Sequence, residues 1–405
     1  KVWGLRRDTL FNWFSQIFAV TQFSMRSLPQ RKGSSAAAML GITGVVAVMV
    51  GVLSIAQGVL KTMESSARED NAIVLRSGSD SEMMSGLLGD DTRLIAEAPG
   101  IYRDENGVRA SPELFVIINL PMRSTGTDAN VPMRGVQAQA MAVRNGFKLV
   151  EGRMFEWGLN EVIVGVGALQ QFSGLEPGST IEVGQEQWPV VGVFEADGGL
   201  AESEIWVDAA VLQPAYRRGN SYQAVYVKLN SFDAFDDFKD ALTSDPRLNV
   251  KPMRASDYYD SQSTVMYNMI TGLGTIIAII MGLGAVFGAL NTMYTAVSAR
   301  TREIATLRAL GFRSGPVIIS VLSESLLLAF AGGLIGAGLA WLAFDGFKTA
   351  TLNWSSFSAI TFAFDVNARL LIQGIVFAMV IGLIGGLLPA IRAARQPVAQ
   401  ALREL

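Results

Sequence analysis

Four long stretches of this chain are apolar and almost free of charge, and they limit its possible folds more than any other feature. Glu324 is the only ionisable residue within them. An α-helix rises about 1.5 Å per residue, so each stretch can cross the roughly 30 Å hydrocarbon core of a bilayer. Helices buried in soluble proteins rarely stay uncharged over such a length. The sequence therefore predicts an α-helical membrane protein whose four transmembrane helices cover residues 36–60, 263–299, 317–344 and 370–391.

The composition agrees with this prediction and excludes several kinds of chemistry. Of the 405 residues, 50% are hydrophobic, and the mean hydropathy is +0.32, which is high for a soluble protein. The chain has no Cys and no His, so it offers no thiol nucleophile, no disulfide, no thiolate or imidazole metal ligand and no histidine base. Its formal net charge of -3 and mixed central charges give no basic face for nucleic acid.

The positions of the basic residues predict which segments face the cytoplasm, because Lys and Arg concentrate in short cytoplasmic flanks. Residues 300–316, residues 392–405 and the flank before the first span are rich in them, whereas residues 345–369 have no such excess. We therefore expect cytoplasmic termini, a large extracytoplasmic domain at residues 61–262, and a short extracytoplasmic loop at 345–369. The residues that support this orientation are Arg26, Arg31, Lys32, Arg300, Arg302, Arg308, Arg313, Arg392, Arg395 and Arg403.

Residues 1–35 precede the first span and contain many aromatic side chains close to basic ones. This composition suits a helix that lies along the cytoplasmic membrane interface. Ordinary packing against the helix bundle would explain it equally well, so both interpretations stay open. The apolar and aromatic residues of this stretch are Phe11, Trp13, Phe14, Ile17, Phe18, Val20, Phe23 and Met25.

The extracytoplasmic segment has the pattern of a mixed α/β domain. The run AVYVKL at residues 224–229 alternates as a strand does, and Ser231 then stands where a helix cap is expected. Helical residues are also predicted from 81 to 98, and a further strand at 248–250. Two β-α-β-like halves far apart in the sequence predict one subdomain, and a β-rich insert between them at about residues 147–206 makes two subdomains in all.

The carboxylates and methionines of this segment form no recognisable site. The carboxylates stand beside turns or on predicted solvent faces, so we expect them to be solvated; they are Asp90, Asp91, Asp197, Asp236 and Asp237. The methionines either fill a core or form an adaptable apolar contact surface, and core filling is their more frequent role. They are Met83, Met84, Met122 and Met133.

The segment between the second and third spans predicts a short basic amphipathic helix. One of its sides is apolar and the rest is charged, and a glycine ends it. Such a helix at the inner face of the membrane, joined directly to two spans, is suited to being pushed by a partner protein. Basic loops are nevertheless common between any two spans. The residues concerned are Arg300, Arg302, Glu303, Ile304, Leu307, Arg308, Leu310 and Gly311.

Glu324 requires a specific explanation, because a charge inside a membrane costs several kcal/mol unless it is paired, hydrated or protonated. It lies near the start of the third span, beside Ser320 and Ser323. We expect it to bind backbone or loop arginine groups and to tie the loop helix to the bundle. The alternative role, a proton or ion relay, would need further ionisable residues within the spans, and the sequence has none there.

Glycines recur along the spans at positions where helices can approach closely. Glycine is common in membrane helices, so its spacing alone does not show which glycine lies at a contact. The candidates for helix packing are Gly44, Gly51, Gly284, Gly288, Gly332 and Gly336.

Two cytoplasmic motifs and one extracytoplasmic pattern resemble a known family. The motifs are SARTREIATLRALGFRSGPVIISVLSESLLLAFAGGLIG and LLPAIRAARQPVAQALREL, and the pattern includes RGVQAQ, LVEGRMFEWGLNEVIVGVGAL, WPVVGVF and SEIWVD. The order of one span, a large outer domain and three further spans is similar too. The chain resembles the MacB/FtsX/LolC-type permeases of the ABC transporter superfamily, and within them an FtsX-like permease with a MacB-like periplasmic domain. The resemblance implies a protein of the inner (plasma) membrane.

The resemblance implies that Arg300–Leu310 is a coupling helix seated in a groove of a separate ABC ATPase. Its charged residues would be polar contacts, and Ile304 and Leu307 would be buried ones. MacB carries its ATPase at its own N-terminus, whereas these 405 residues contain no G-x-x-x-x-G-K-[ST] loop and no Gly-Lys pair. The partner ATPase would therefore bind ATP and Mg, and this chain is expected to be a permease subunit with no cofactor, no metal and no enzymatic activity of its own.

The resemblance also implies mechanotransmission, in which ATPase motion reaches the periplasmic domain and drives export or extraction of an amphipathic or lipophilic substrate. Expected partners are a second copy or a related permease, packed through the first two spans, and a periplasmic adaptor of the membrane-fusion type. Two alternatives stay open: lipoprotein release, and FtsX-like signalling that regulates an extracytoplasmic enzyme. The missing histidines, cysteines and carboxylate pairs argue against a free-standing membrane enzyme.

Overall fold

The computed structural model describes residues 21–22, 32–144, 146–310, 312–353 and 357–397. The described residues fall into two compact units. The first unit comprises the described residues within Lys1–Ile55, Ile270–Gly346 and Asp365–Leu405. The second comprises those within Ala56–Met269 and Phe347–Phe364. Most of residues 1–35, for which the sequence allows an interface helix, lie outside the described residues, and so do Gly311 and the end of the segment 392–405.

The regular elements of the described residues are numbered along the chain. The α-helices α1 to α10 are Lys32–Ser65, Gly89–Glu97, Ala140–Val143, Val166–Gln171, Ala209–Ala215, Ala234–Ser244, Ala255–Ser298, Thr301–Ala309, Ser314–Phe344 and Ala368–Arg395. The strands β1 to β16 are Asn71–Arg76, Leu87–Leu88, Arg103–Asp104, Gly107–Val108, Ala110–Pro121, Asp128–Val136, Phe147–Gly152, Val162–Gly165, Thr180–Val183, Glu186–Ala196, Ile205–Asp208, Ser221–Tyr222, Ala224–Lys228, Val250–Arg254, Lys348–Asn353 and Ser358–Ala363. Two 3-10 helices cover Glu82–Met84 and Leu200–Ser203.

Four of the helices, α1, α7, α9 and α10, are long and apolar enough to cross a membrane. Together with the mixed α/β domain between α1 and α7, they confirm the predicted fold class. Two helices extend beyond the charge-free stretches, since α1 continues through Lys61 and Glu64 and α7 already begins at Ala255. A charge-free stretch of sequence ends at its first charged residue. A helix can extend past that residue into water, as long as its backbone hydrogen bonds are made.

The first unit is packed through small and branched side chains on α1, α9 and α10. Ile42 and Val46 of α1 belong to one apolar core with Ala329 of α9. The hydroxyl of Thr43 donates to the backbone oxygen of Gly332 at 3.1 Å. Small residues let helix backbones approach closely, which is the usual mode of helix packing in a bilayer.

The second unit, called here the α/β domain, is built on one ten-stranded sheet. Its order is β14-β1-β13-β5-β6-β11-β8-β10-β7, and β9 pairs with β10. Neighbouring strands are antiparallel except in the parallel pairs β6–β11 and β8–β10. The start of β5, Ala110 to Glu113, pairs with β13, and its remainder pairs with β6. Strands β7 to β11 of the predicted insert therefore extend the same sheet and do not form a separate one.

Each half of the sheet covers its own apolar core, as expected for two subdomains. In one half, Ile95 of α2 and Phe238 of α6 pack on Val225 of β13. In the other half, Trp188 of β10 and Leu212 of α5 belong to a separate core. The long strand β5 contributes Ala110 to the first core and Leu114 to the second, so it connects the two subdomains.

The local structure differs from the sequence-based expectation at several points. Residues 81–98 are not one helix, because Leu88 pairs with Ser221 in β12 and α2 begins only at Gly89. The helix expected after Ser231 begins at Ala234, with Asp233 in the N-cap position. Long-range strand pairing overrides local propensity in the first case.

Residues 345–369, expected as a short loop, contain a β-hairpin. Strands β15 and β16 pair antiparallel along their whole length. The hairpin belongs to the α/β domain, where the hydroxyls of Thr361 and Ser203 lie 2.6 Å apart. The backbone N–H of Thr361 also donates to the Ser203 hydroxyl at 2.8 Å. The alternation in SAITFA is a strand signal that the shortness of the segment conceals.

Candidate functional site

The loop helix α8 is anchored on one side and open on the other. Arg300 is its N-cap residue and Leu310 its C-cap residue. Ile304 is only 8% exposed, because it packs with Val297 of α7 and Val317 of α9. Leu310 is 73% exposed. The helix therefore has a buried inner face and an exposed side chain at its C-cap.

The remaining residues of α8 divide in the same way. Arg302 and Glu303 are exposed, and Leu307 is half-buried. Arg308 is half-buried as well, and its Nη1 donates to the backbone oxygen of Gln396 at 2.8 Å. The resemblance implied that Ile304 is a buried contact with a partner, but its own chain already covers it. Ile304 therefore supports the helix, and the side chains that remain exposed are those of Arg302, Glu303 and Leu310.

Glu324 of α9 is paired with Arg300. Nη1 and Nη2 of Arg300 donate to the two carboxylate oxygens at 2.9 and 3.0 Å. Both residues are buried, at 6% exposed for Arg300 and 3% for Glu324. Ser320 lines the same small space, whereas the Ser323 hydroxyl donates to Ile319 in its own helix. Two-point guanidinium–carboxylate pairs combine charge with fixed geometry, so this pair holds the start of α8 at α9.

The predicted packing glycines fall into two groups. A Cβ atom on Gly332 or Gly336 would lie 2.9 or 2.6 Å from a backbone oxygen of α1, and one on Gly51 would lie 2.8 Å from the Phe344 ring. These three positions need glycine because another element of the first unit approaches too closely for a side chain. The other group, with nothing within 4 Å of such an atom, comprises Gly44, Gly284 and Gly288.

A second set of charged residues, the Arg134 cluster, is buried in the α/β domain and comprises Arg134, Glu82, Glu113, Glu204 and Arg144. Nε and Nη2 of Arg134 each donate to Glu204 at 2.7 Å. Its Nη1 and Nη2 donate to Glu82 at 2.8 and 3.1 Å, and Nη1 also donates to Glu113 at 3.0 Å. Arg144 donates to Glu113 from the other side. All five N–H groups of Arg134 therefore have a carboxylate acceptor.

Electrostatics keep Arg134 and Glu204 ionised. Burial alone would lower the pKa of Arg134, but Glu204, Glu82 and Glu113 raise it well above its ordinary value. Burial would likewise raise the pKa of Glu204, yet its attraction to Arg134 holds that pKa below the usual 4.5. Burial also raises the pKa of the neighbouring Tyr226 well above 10.0. At neutral pH Arg134 and Glu204 are thus fixed charges beside a neutral tyrosine, which suits holding elements together better than transferring protons.

None of these cluster residues is among the sequence-based candidates, although a signal was present. Glu113 interrupts the apolar run of β5 and Arg134 that of β6. A charge on the buried face of a strand needs a partner of opposite charge. The partners of Arg134 are 21, 52 and 70 residues away along the chain, which no local pattern reveals.

The other candidates of this domain occupy ordinary positions. Met133 is buried and Met122 packs against the same core, whereas Met83 and Met84 are 47% and 76% exposed. The methionines therefore do not act as one group. Among the described residues, no group of three or more His, Cys, Asp or Glu could hold a metal ion. Asp91 accepts a hydrogen bond from the N–H of Leu88, and the exposed carboxylates are Asp90, Asp197, Asp236 and Asp237.

Comparison with known proteins agrees with this architecture. The model of the MacB-like periplasmic core domain matches residues 35–245, and that of the FtsX-like permease C-terminal region matches residues 275–398. The chain is 25% identical over 411 residues to the uncharacterized ABC transporter permease YknZ of Bacillus subtilis (strain 168), covering 94% of this chain and 98% of YknZ.

Longer relatives and solved structures match as well. The chain is 25% identical over 428 residues to the macrolide export ATP-binding/permease protein MacB of Neisseria meningitidis (strain MC58), and this match covers 97% of the chain but only 62% of that MacB. The crystal structure of the periplasmic region of MacB from Actinobacillus actinomycetemcomitans aligns with 52% of this chain and 98% of that one, at 15% identity and a TM-score of 0.37.

The match to the periplasmic core domain alone covers more than half of the chain. The FtsX-like match begins within α7 and covers the rest of that helix, the loop helix α8, α9 and α10. The chain therefore belongs to the MacB/FtsX family of ABC transporter permeases, with a MacB-like periplasmic core domain and an FtsX-like C-terminal region.

Proposed function

We propose that this chain is the subunit that transmits the motion of a separate ABC ATPase to the α/β domain. The observation that supports this most directly is the buried two-point contact between Arg300 and Glu324. A force applied to α8 would pass into α9 through this pair and into α7 through the adjoining chain. The ATPase would bind ATP and Mg, and the permease would have no catalytic role.

The exposed part of α8 would be the contact surface for the ATPase. Arg302 and Glu303 offer one charge of each sign, and Leu310 adds an exposed apolar group. Small interfaces commonly combine an apolar anchor with surrounding polar contacts. Ile304 and the Arg308–Gln396 hydrogen bond would keep α8 in place when it is pushed.

The proposed membrane orientation follows from charge. Basic residues flank α8 on both sides, and such segments stay in the cytoplasm. Both termini would therefore lie in the cytoplasm, the chain would be a multi-pass protein of the inner (plasma) membrane, and the α/β domain would be extracytoplasmic.

A second permease, either another copy or a related chain, would pack against α7. Leu273, Ile280 and Phe287 of this helix are 61%, 64% and 70% exposed. A Cβ atom on Gly284 or Gly288 would have no neighbour within 4 Å, apart from the helix's own backbone. A helix face with large apolar side chains and glycines can receive either lipid or another helix, and the bilayer would cover what the second permease leaves open.

The substrate would be amphipathic or lipophilic and would pass from the α/β domain to a periplasmic adaptor of the membrane-fusion type. The names of the MacB relatives, which describe macrolide export, support this class of substrate. The buried core that α1, α9 and α10 share is mostly apolar, and its buried hydroxyls are those of Thr43, Ser54 and Ser325. Such a core fits a transmitting device better than a polar path through the bilayer.

Affinity purification from native cells tests the coupling step. We expect an ABC ATPase to accompany the detergent-solubilised wild type and to be lost from the Arg302→Glu, Leu310→Asp variant. The matched control, Arg93→Glu, Leu88→Asp, changes the same residue types at exposed positions of the α/β domain, and it should retain the ATPase. Retention by the α8 variant, or absence of an ATPase from the wild type, would contradict the proposal.

A further inference from the structure

We propose that the Arg134 cluster, together with Tyr259 and the Ser203–Thr361 contact, is a rigid joint that fixes the start of α7 and the β15–β16 hairpin to the ten-stranded sheet. The inference rests on the proposed function, because it assigns positioning residues to the transmission step. All of the joint lies within the α/β domain. Its residues come from β5, β6, α7, β16, both 3-10 helices and two connecting segments.

The centre of the joint is rigid because the guanidinium of Arg134 has no rotational or translational freedom left. A guanidinium with all five N–H groups bound is fixed in position and in plane. Its carboxylate partners come from the 3-10 helix at Glu82, from β5 at Glu113 and from the segment before β11 at Glu204. The indole N–H of Trp206 donates to Glu204 at 2.8 Å and holds this carboxylate from behind.

The start of α7 is attached to this centre through two tyrosines. Nη1 of Arg144 donates to the hydroxyl of Tyr259 at 3.3 Å, and the same hydroxyl lies 3.4 Å from that of Tyr226. The backbone N–H of Glu82 donates to the Tyr258 hydroxyl at 3.4 Å. Tyr258 and Tyr259 are 6% and 4% exposed. Since α7 is one unbroken helix from Ala255 to Ser298, its first turn is a defined point of attachment for a membrane-type helix.

The hairpin is attached to the same centre from another side. Thr361 of β16 makes two hydrogen bonds with Ser203, which is the direct neighbour of Glu204. Asn130 of β6 donates to the backbone oxygen of Phe357 at 2.7 Å, so the strand that carries Arg134 also contacts the hairpin. The hairpin connects α9 to α10 in the chain. Both attachments therefore join membrane-connected segments to one cluster.

The charged residues of the joint fix the relative positions of its elements more than they raise the stability of the fold. Buried ion pairs contribute little net stability, because desolvation offsets their attraction. What they provide is directional contacts, which apolar packing of the same volume does not. A joint of this kind would carry a displacement of α7 or of the hairpin into the sheet without slack.

Distances between paired spin labels test the inference, and the absence of native cysteine makes labelling clean. The first pair of labels is placed at Asp260→Cys, near the start of α7, and at Glu195→Cys on β10. The second pair is placed at Lys348→Cys on the hairpin and at the same Glu195→Cys. All three positions are exposed. The full chain is placed in lipid nanodiscs with its ATPase and measured with ADP and after trapping with ATP and vanadate. We expect one narrow distance peak for each pair, unchanged between the two nucleotide states.

The test variant is Tyr259→Phe, Thr361→Val, which removes hydroxyl contacts from both attachments and leaves Arg134 intact. We expect the narrow peaks to be lost, through broadening or through a shift on ATP trapping, while the melting temperature stays close to that of the control. The matched control, Tyr222→Phe, Thr92→Val, makes the same two exchanges at buried positions of the α/β domain outside the joint, where the Tyr222 hydroxyl accepts from Gln137 and the Thr92 hydroxyl donates to the backbone oxygen of Gly89. It should keep the narrow peaks.

Two results would overturn the joint: wild-type distances that change with nucleotide, or a test variant whose peaks stay as narrow as those of the control. Failure of the proposed function is distinguishable, because it would appear as no ATPase bound to the wild type. The comparison of peak widths without nucleotide would still decide on the joint in that case.

Discussion

Arg300 and Glu324 meet through two hydrogen bonds, of 2.9 and 3.0 Å, between a guanidinium and a carboxylate that are both buried. Arg300 stands between α7 and α8, and Glu324 belongs to α9, so one contact ties three helices together. A buried charge without its partner pays the full desolvation penalty, whereas a pair removed as a whole leaves no such penalty. Loss of one partner should therefore be far more damaging than loss of both.

Single variants Arg300→Met and Glu324→Leu should each lower the free energy of unfolding by about 3–5 kcal/mol. The double variant should recover most of this loss, because it leaves no charge unpaired. Thermal unfolding of the detergent-solubilised chain, analysed as a double-mutant cycle, measures the coupling. If the double variant is as unstable as either single one, the pair is not an independent unit.

Ile304 and Leu310 of α8 should respond in opposite ways in two measurements. Ile304→Ala should lower the free energy of unfolding by about 2–5 kcal/mol, since it leaves a cavity in a packed core. Leu310→Ala should change it by less than about 0.5 kcal/mol, since this side chain is mostly exposed. In pull-downs of the ATPase the larger effect should come from the other variant: Leu310→Ala should bind the ATPase more weakly than Ile304→Ala does. Equal stability of the two variants would contradict the assignment of an inner and an outer face.

The two groups of glycines should also behave differently. Gly336→Ala should lower the free energy of unfolding by about 1–3 kcal/mol, because the added Cβ atom meets a backbone oxygen that cannot move aside. Gly284→Ala adds the same atom into open space and should leave stability unchanged. Thermal unfolding measures both effects. Cross-linking of a second permease would then show whether Gly284→Ala weakens an association between chains.

The α/β domain should lose stability on acidification through Glu204. Its pKa in the folded state lies below the ordinary 4.5, so the stabilisation is fully present above that pH and is lost as the pH falls through the folded-state pKa. We expect the unfolding temperature of the wild type to decline steeply below pH 4.5, and that of Glu204→Gln to decline less. The exposed replacement Glu195→Gln is the control, and it should follow the wild type. Identical acid profiles for wild type and Glu204→Gln would contradict this.

The sequence predicts the membrane-type helices well because their signal is local. A run without charge is visible in the sequence itself, and so is the amphipathic character of α8. The pairing of Glu324 with a loop arginine was also foreseeable, since the segment before α9 contains four arginines and an ionised carboxylate in a membrane needs a partner. Which of the four arginines forms the pair was not visible in the sequence. Which glycines meet a neighbouring helix was not foreseeable, because Gly284 and Gly336 have similar sequence surroundings and different neighbours in space.

The α/β domain was predicted less completely because its sheet depends on distant pairings. The strand pair Leu88–Ser221 and the contacts of Arg134 join segments that no local pattern connects. The hairpin at β15 and β16 was missed for another reason: a short connection between two spans has no need of regular structure. Its strands form because Thr361 and its neighbours pack on the domain.

The ten-stranded sheet ends on both sides in strands that discourage extension. On one side, β14 contains Pro252, which has no N–H to offer to a further strand. On the other side, β7 carries the exposed charges Lys148 and Glu151 and pairs irregularly with β10 beside Phe194. Charges, proline and bulges at sheet edges are the features by which natural proteins avoid aggregation. Backbone pairing is thus disfavoured at these two edges, and we expect molecules crowded side by side to stay separate there or to associate through side chains.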